Sequence, residues 1–238
     1  MRVALHPCYL IHLRPYRETS LLAEVFSRDY GRVSLVAKGA RRSRQRSLYQ
    51  PLRKVNIAWV ARGELGTLTQ IEQAGTGPGV NGRGLIAALY INELVMRLLH
   101  RHESHPELFD TYETALTGLC NAGSDEAILR IFEKRLLISL GYGIILDHDV
   151  DNGAAIEGSR QYYYHAQRGP SAATDPASLA LPVSGATLHA LAREEFTQAA
   201  QLTEAKRLMR FVLSEHLGQR PLASREIYRR YLQHQRHE

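Results

Sequence analysis

The chain has few cysteines and no long apolar run, and these absences exclude several classes of protein. Only two cysteines occur among its 238 residues, Cys8 and Cys120. Neither belongs to a CxxC pair, so a four-thiolate zinc site is excluded by count. No apolar stretch reaches the roughly 20 residues that a membrane-spanning helix needs. The N-terminus, with Arg2, His6 and Pro7 among its apolar residues, is unlike a signal peptide. We therefore expect a cytoplasmic protein without a membrane partner.

The sequence also lacks the short motifs of common enzymes. It contains no GxxxxGK[ST] phosphate loop, no GxSxG elbow and no HExxH zinc motif. Asp147, Asp149 and Asp151 begin like a calcium loop, but the twelfth position carries no glutamate. The enzymatic alternative is a nuclease that uses these aspartates, yet two-metal chemistry needs carboxylates on rigid elements. We expect a non-enzymatic protein that uses no cofactor.

Positive charge is concentrated in the first third of the chain. Residues 1–74 hold 13 Lys and Arg against 5 Asp and Glu, whereas the remaining residues hold 17 against 19. The net charge of +6 therefore belongs entirely to the N-terminal part. Such asymmetry indicates a polyanionic partner for that part, with a solvated basic face as the alternative.

The first 75 residues have the pattern of short β-strands. Turn residues separate the segments and no long helix lies between them. The predicted strands are Val3–His12, Ser20–Ser27, Arg32–Ala37, Leu52–Val60 and Leu65–Ala74. This pattern predicts a small closed barrel of the OB-fold type, with an SH3-like barrel as the alternative.

After a glycine-rich break at residues 75–82, the apolar period becomes helical. The predicted helices are Arg83–Arg101, a segment from Ser104 through Leu119, Asp125–Leu140, Thr187–Phe196, Thr203–Leu217 and Ser224–Gln233. Residues 147–182 show no helical period, and only Gln161–His165 has the pattern of a strand. We predict an α+β fold, with an OB-fold barrel in residues 1–80 and an α-helical domain in residues 81–238. The helical domain contains an irregular insert at about 147–182.

A dense group of cations follows the third predicted strand. Five cations occur within nine residues, and no acidic residue occurs between positions 30 and 63. We term this segment the basic loop; its cations are Lys38, Arg41, Arg42, Arg44 and Arg46. A guanidinium group can donate two parallel hydrogen bonds to phosphate oxygens, and its binding releases counterions from the nucleic acid. Both effects favour nucleic-acid binding. A solvated loop or a membrane-surface patch is the alternative.

Further contacts to nucleic acid are predicted around the basic loop. Arg32 lies on the preceding strand, and Tyr49 follows the loop as the best-placed platform for base stacking. Tyr16, Tyr30 and Trp59 are additional stacking candidates, although each is also a typical core or rim aromatic.

The third predicted helix carries a second candidate site. Arg130 and Lys134 are spaced i, i+4 beside apolar residues such as Ile131 and Leu137. A cationic rim around an apolar groove suits an acidic, hydrophobic peptide end. Ordinary amphipathic packing with solvated charges is the alternative.

Several short motifs occur in order along the chain: Leu13–Ser20, Phe26–Arg32, Val36–Arg41, Gln50-Pro51, Gly63–Leu65, Tyr90–Leu94, Glu107–Phe109, Arg130–Glu133 and Leu140–Gly143. Together they resemble the bacterial RecO family of recombination mediators, over residues 8–145 and more weakly through Ser224–Tyr228. The resemblance implies an OB-fold followed by a helical domain. It implies a DNA repair protein that binds single- and double-stranded DNA and anneals complementary strands.

The resemblance also implies partners. With RecR, such a protein helps to load RecA onto single-stranded DNA coated with the single-strand-binding protein SSB. Arg130 matches the family arginine that holds the acidic C-terminal tail of SSB, so the resemblance implies an SSB-tail site at Arg130, to which the helical spacing adds Lys134. It places the protein in the cytoplasm, at the nucleoid.

One departure from the family pattern concerns metal. Many members of the family carry a zinc site built from two CxxC pairs after the Leu-Gly-Tyr-Gly motif. Asp149 and Asn152 occupy the positions of the first pair, and no cysteine follows. We therefore expect no zinc site. A generic RNA- or single-stranded-DNA-binding OB-fold module remains the alternative function.

Overall fold

Five N-terminal strands close into a barrel in the computed structural model, which describes residues 1–75, 79–120, 125–173 and 179–235. The strands are β1 (Arg2–Tyr16), β2 (Ser20–Ser27), β3 (Gly31–Ala37), β4 (Lys54–Ala61) and β5 (Leu65–Gln73). They are hydrogen-bonded in the order β1-β2-β3-β5-β4, and β4 closes the barrel against β1. Only β3 and β5 pair in parallel. The predicted barrel, and the α+β class with it, is confirmed.

Alternation along the strands fills the barrel interior. In β4 every second residue is buried, and Val55, Ile57 and Trp59 lie at 0% exposure in the core. Successive side chains of a strand point to opposite faces of the sheet. The alternation therefore shows that one face of β4 is buried in the barrel interior. Trp59 therefore belongs to the core and is not available for stacking on a base.

The chain divides into two compact units, while the domain boundary near residue 80 stays a prediction from the sequence. The first unit comprises residues 1–122 and 221–238, and the second comprises residues 123–220. The first unit thus adds three helices to the barrel, α1 (Gly82–Leu98), α2 (Pro106–Cys120) and α6 (Ala223–Gln235). The glycine-rich break that suggested the boundary lies partly outside the described residues.

Two helices join the barrel because its outer surface at β1 and β2 is apolar. The Phe26 ring packs on the rings of Phe109 and Tyr112, with centroids 5.4 and 5.6 Å apart. Asn92 of α1 donates through Nδ2 to the Ile11 carbonyl at 2.9 Å. The Tyr112 hydroxyl donates in turn to Asn92 Oδ1 at 2.5 Å. These hydrogen bonds satisfy the polar groups that the packing buries.

The second unit combines three helices with a small sheet. The helices are α3 (Asp125–Ser139), α4 (Gly185–Arg193) and α5 (Ala199–Leu217), and the strands are β6 (Gln161–His165), β7 (Gly169–Ser171) and β8 (Leu181–Ser184). β6 lies between β7 and β8 in an antiparallel sheet. The strand pattern noted at Gln161–His165 agrees with β6, whereas the sequence pattern did not predict β7 and β8. Two of the strands are too short, and too rich in Gly, Pro and Ser, to show an alternating pattern.

None of the helices within the described ranges combines the length and apolar character needed to cross a membrane.

Candidate nucleic-acid interface

The basic loop is held to the barrel by two buried side chains. Two single-turn 3₁₀ helices, Ala40–Arg42 and Arg46–Leu48, make up most of it. Ala40 and Leu48 insert into the barrel core at 1% and 8% exposure. Gly39 enters the loop with φ 67°, a left-handed conformation that glycine adopts without a steric cost. The loop is therefore anchored at both ends while the residues between face outward.

All five cations of the loop are exposed. Within the described part of the chain, none of them lies within ion-pair distance of a carboxylate. Among the five cations, Arg41 makes a side-chain hydrogen bond within the described residues: its Nη1 donates to the Glu18 carbonyl at 2.8 Å. The positive field of the loop is therefore uncompensated locally, which is the condition for binding phosphate groups.

The turn between β1 and β2 adds to this surface. The Arg41 amide donates to the Thr19 carbonyl at 3.0 Å, so the turn and the basic loop share one end of the barrel. Arg17 is exposed in that turn, with its guanidinium 5.4 Å from the centroid of the Tyr16 ring. Sequence reasoning missed Arg17. The predicted OB topology could have identified Arg17, because this topology places the β1–β2 turn beside the segment that follows β3.

Tyr49 lies at the edge of the same end of the barrel. Its ring is partly buried against the core, and burial raises the pKa of its hydroxyl. Tyr49 lines a shallow cleft of about 290 Å³ together with Lys38, Thr69 and Gln70. A half-exposed aromatic ring beside exposed cations is the arrangement that single-strand-binding OB barrels use for stacking.

Arg32 is placed differently from the loop cations. Its side chain is 13% exposed, and its Nε lies 3.5 Å from the buried Glu24 carboxylate. Burial lowers the pKa of Arg32; the charge of Arg101 adds to this shift, while Glu24 opposes it. Its Nη1 donates to the Met96 carbonyl. Arg32 is therefore held by contacts within its own unit, and it lies at the start of β3, whereas the basic loop follows the end of that strand.

The two α3 residues predicted to bind a peptide tail are both buried. Arg130 is 3% exposed, and its Nη2 lies 2.9 Å from Glu133 Oε1. Lys134 is 8% exposed, and its Nζ donates to the carbonyls of Leu191 and Ala192 at 3.1 and 3.0 Å. Lys134 also pairs with Glu194 at 2.8 Å. Each cation thus has partners inside its own unit, and this placement argues against direct presentation of either to a peptide.

The loop at Asp149 is organised by hydrogen bonds. The Asp149 carboxylate, 3% exposed, accepts the amides of Asp151 and Ala172, both at 2.9 Å. The Asn152 side chain accepts the Ala154 amide at 2.8 Å. Asp149 and Asn152, which stand at the family's zinc positions, therefore accept hydrogen bonds from backbone amides. They do not supply the thiolates of such a metal site. Among the described residues, no group of three or more His, Cys, Asp or Glu is arranged to hold a metal ion.

Comparison with known proteins matches nearly the whole chain. The family model described as "Recombination protein O N terminal" matches residues 1–76, and that described as "Recombination protein O C terminal" matches residues 81–226. A protein named DNA repair protein RecO from Nitrosococcus oceani is 47% identical over 229 residues, which cover 95% of this chain and 93% of the relative. A protein of the same name from Alkalilimnicola ehrlichii is 46% identical over 231 residues, covering 96% and 92%.

Proposed function

Because the chain belongs to the RecO family of DNA repair and recombination proteins, we propose that it acts as a recombination mediator that binds single- and double-stranded DNA through the basic loop. The observation that carries this proposal is the set of exposed loop arginines without carboxylate partners in the described residues. Phosphate contacts of this kind do not depend on base sequence. A mediator that must act on any damaged region needs binding that does not depend on the base sequence.

The same surface supports strand annealing. Two complementary strands repel each other through their phosphates, and cations that neutralise both strands lower that barrier. Base pairing then supplies the free energy, so that no nucleotide hydrolysis is required. We therefore propose a non-enzymatic role, carried out in the cytoplasm at the nucleoid.

RecR, SSB and RecA are the proposed protein partners. In this role the protein, with RecR, helps RecA to replace SSB on single-stranded DNA. The acidic SSB tail is the proposed contact to SSB, and an acidic peptide needs exposed cations. Because Arg130 and Lys134 are buried, we assign the tail to no particular residue.

The test is annealing of complementary strands coated with SSB, without ATP, in the presence and absence of the protein. We expect acceleration with full-length SSB and a loss of that acceleration when the SSB tail is deleted. Naked complementary strands serve as the control, because their annealing does not need the tail. DNA binding without any acceleration, together with tighter binding to matched RNA strands, would favour a generic RNA-binding module instead.

A further inference from the structure

The cleft beside the basic loop differs from the loop in charge. We term it the Tyr49 cleft; it has a volume of about 290 Å³ and lies within the first unit, and its lining includes Lys38, Tyr49, Thr69, Gln70 and Glu72. Lys38 is the one cation and Glu72 the one carboxylate among its described lining residues. These two charges balance, whereas the exposed loop arginines have no carboxylate within ion-pair distance in the described part of the chain. A phosphate group is therefore attracted to the arginines, and the cleft suits an uncharged polar group.

A β-bulge in β5 supplies one wall of the Tyr49 cleft. The register of β4 against β5 shifts between Ala58 and Trp59, and Thr69 is the extra residue of β5 at that point. In a regular strand only one of two consecutive side chains points away from the core. The bulge instead leaves both Thr69 and Gln70 exposed, between buried residues on either side. Two adjacent polar side chains therefore line the cleft together.

The aromatic ring of Tyr49 is held in place by the loop backbone and by the barrel core. Tyr49 directly follows Leu48, which is buried in the core, and the Tyr49 ring packs against the same core. The Tyr49 amide donates to the Arg46 carbonyl at 3.2 Å, and the Leu48 amide donates to the Gln45 carbonyl at 2.9 Å. The ring is therefore positioned before a ligand arrives, so little conformational freedom is lost on binding.

The two polar side chains of the bulge complement the edge of a flat ring. Gln70 Nε2 donates to Glu72 Oε1 at 2.7 Å, and this hydrogen bond orients the Gln70 amide. An amide presents both a donor and an acceptor, and the Thr69 hydroxyl can act as either. A nucleobase has an aromatic face for stacking and an edge of donors and acceptors for hydrogen bonding. It therefore matches the ring of Tyr49 and the polar groups of Thr69 and Gln70 at the same time.

We propose that the Tyr49 cleft takes up one unpaired nucleobase of single-stranded DNA, which stacks on Tyr49 and forms hydrogen bonds through its edge to Thr69 and Gln70. The inference rests on the proposed function and names the part of the DNA that this site recognises, while the loop arginines hold the flanking phosphates. A base in a duplex is paired and stacked between its neighbours, so it must leave the helix before it can enter the cleft. The protein therefore binds the strands before annealing more tightly than the annealed product.

The test compares the binding of three DNA molecules of equal length to the full-length protein by fluorescence anisotropy. They are a single strand of thymidines, the same strand with every base removed, and a duplex. The abasic strand keeps the phosphates, so it measures the phosphate contacts alone. We expect the wild type to bind the thymidine strand about tenfold more tightly than the abasic strand, since the stacking of one base contributes an effect of that order.

Tyr49→Leu removes the aromatic face but keeps an apolar side chain. This variant should bind the thymidine strand about tenfold more weakly, while its affinities for the abasic strand and the duplex stay at the wild-type values. Tyr49→Phe keeps the ring and should bind like the wild type. Thr69→Val should weaken binding of the thymidine strand alone, by about threefold, because one hydrogen bond is lost. The matched control is Tyr163→Leu, which replaces a partly buried tyrosine of the second unit and should leave all three affinities unchanged.

Thermal unfolding checks that every variant is folded. Equal affinity of the wild type for the thymidine and the abasic strand would overturn base binding at the cleft, while the proposed function would stand on phosphate binding alone. If Tyr49→Leu weakens binding of all three DNA molecules equally, Tyr49 supports the fold of the basic loop and the base site is likewise overturned. If the wild type binds none of the three, the proposed function is refuted and the base site with it.

Discussion

The cations of the basic loop and those of α3 have different surroundings. All five loop cations are exposed. Among the described residues, none of the five has a carboxylate within ion-pair distance. Arg130 and Lys134 of α3 are buried, and they pair with Glu133 and Glu194 at 2.9 and 2.8 Å. The field of a buried, paired cation is largely cancelled by its partner. We therefore expect a polyanion to bind at the loop, whereas the α3 cations contribute to the stability of the second unit.

The largest effect that tests this contrast is expected at Arg130. Arg130→Ala removes the buried ion pair that Arg130 forms with the Glu133 carboxylate, which is at 0% exposure. Removing one member of a buried pair typically costs about 3–5 kcal/mol. We expect a loss of this order in the free energy of unfolding, measured by urea titration.

Arg135 on the same helix provides the matched control. It is 47% exposed in its ion pair with Glu194, so Arg135→Ala should cost less than about 1 kcal/mol. Equal losses in the two variants would contradict the structural role of Arg130. DNA affinity of the folded Arg130→Ala protein should stay at the wild-type value.

The next effect concerns the loop arginines as a group. Replacing all four by alanine should flatten the slope of log affinity against log salt by about 3, since each single-strand contact contributes about 0.7. At 0.1 M salt this corresponds to an affinity loss of roughly 10²–10³-fold. The changes are Arg41→Ala, Arg42→Ala, Arg44→Ala and Arg46→Ala, and the measurement is a salt titration of single-strand binding.

Four exposed arginines of the second unit form the control for the loop variant: Arg160, Arg193, Arg207 and Arg210. Their replacement by alanine removes the same charge from a surface outside the barrel. We expect a much smaller change in the salt slope. If both quadruple variants lose affinity equally, net charge and not the basic loop determines binding.

A smaller effect on stability should distinguish the end of the barrel at Gly31, which is covered by the α1–α2 connection, from the uncovered end at Gly39. Gly31 and Gly39 both have left-handed backbones, with φ 63° and 67°. Alanine at Gly39 meets no atom within 4 Å, so it should cost only the backbone strain of about 1–2 kcal/mol. Alanine at Gly31 adds a clash with the Glu103 carbonyl oxygen at 1.8 Å. The free energy of unfolding should therefore fall further for Gly31→Ala than for Gly39→Ala. Equal losses would mean that the α1–α2 connection is not packed on the β2–β3 turn.

Much of the barrel and its loop could be predicted from local patterns. β2 matches its predicted bounds, and the loop cations are close together in a segment whose high density of like charge favours exposure. Arg32 differs because its environment comes from distant residues, Glu24 and Arg101. The burial of Arg130 and Lys134 likewise depends on residues far along the chain, such as Glu194. No local period contains such information.

The sequence by itself determined the barrel, the helices and the excess positive charge of residues 1–74, because strand alternation, helical period and charge are local properties. Only the tertiary structure decided which cations remain available to an anion. It also decided that α1, α2 and α6 belong with the barrel, and that Tyr49, Thr69 and Gln70 line one cleft. The physical reason is desolvation: a charge is cancelled or left free by whatever the fold brings against it, and that neighbour is seldom adjacent in sequence.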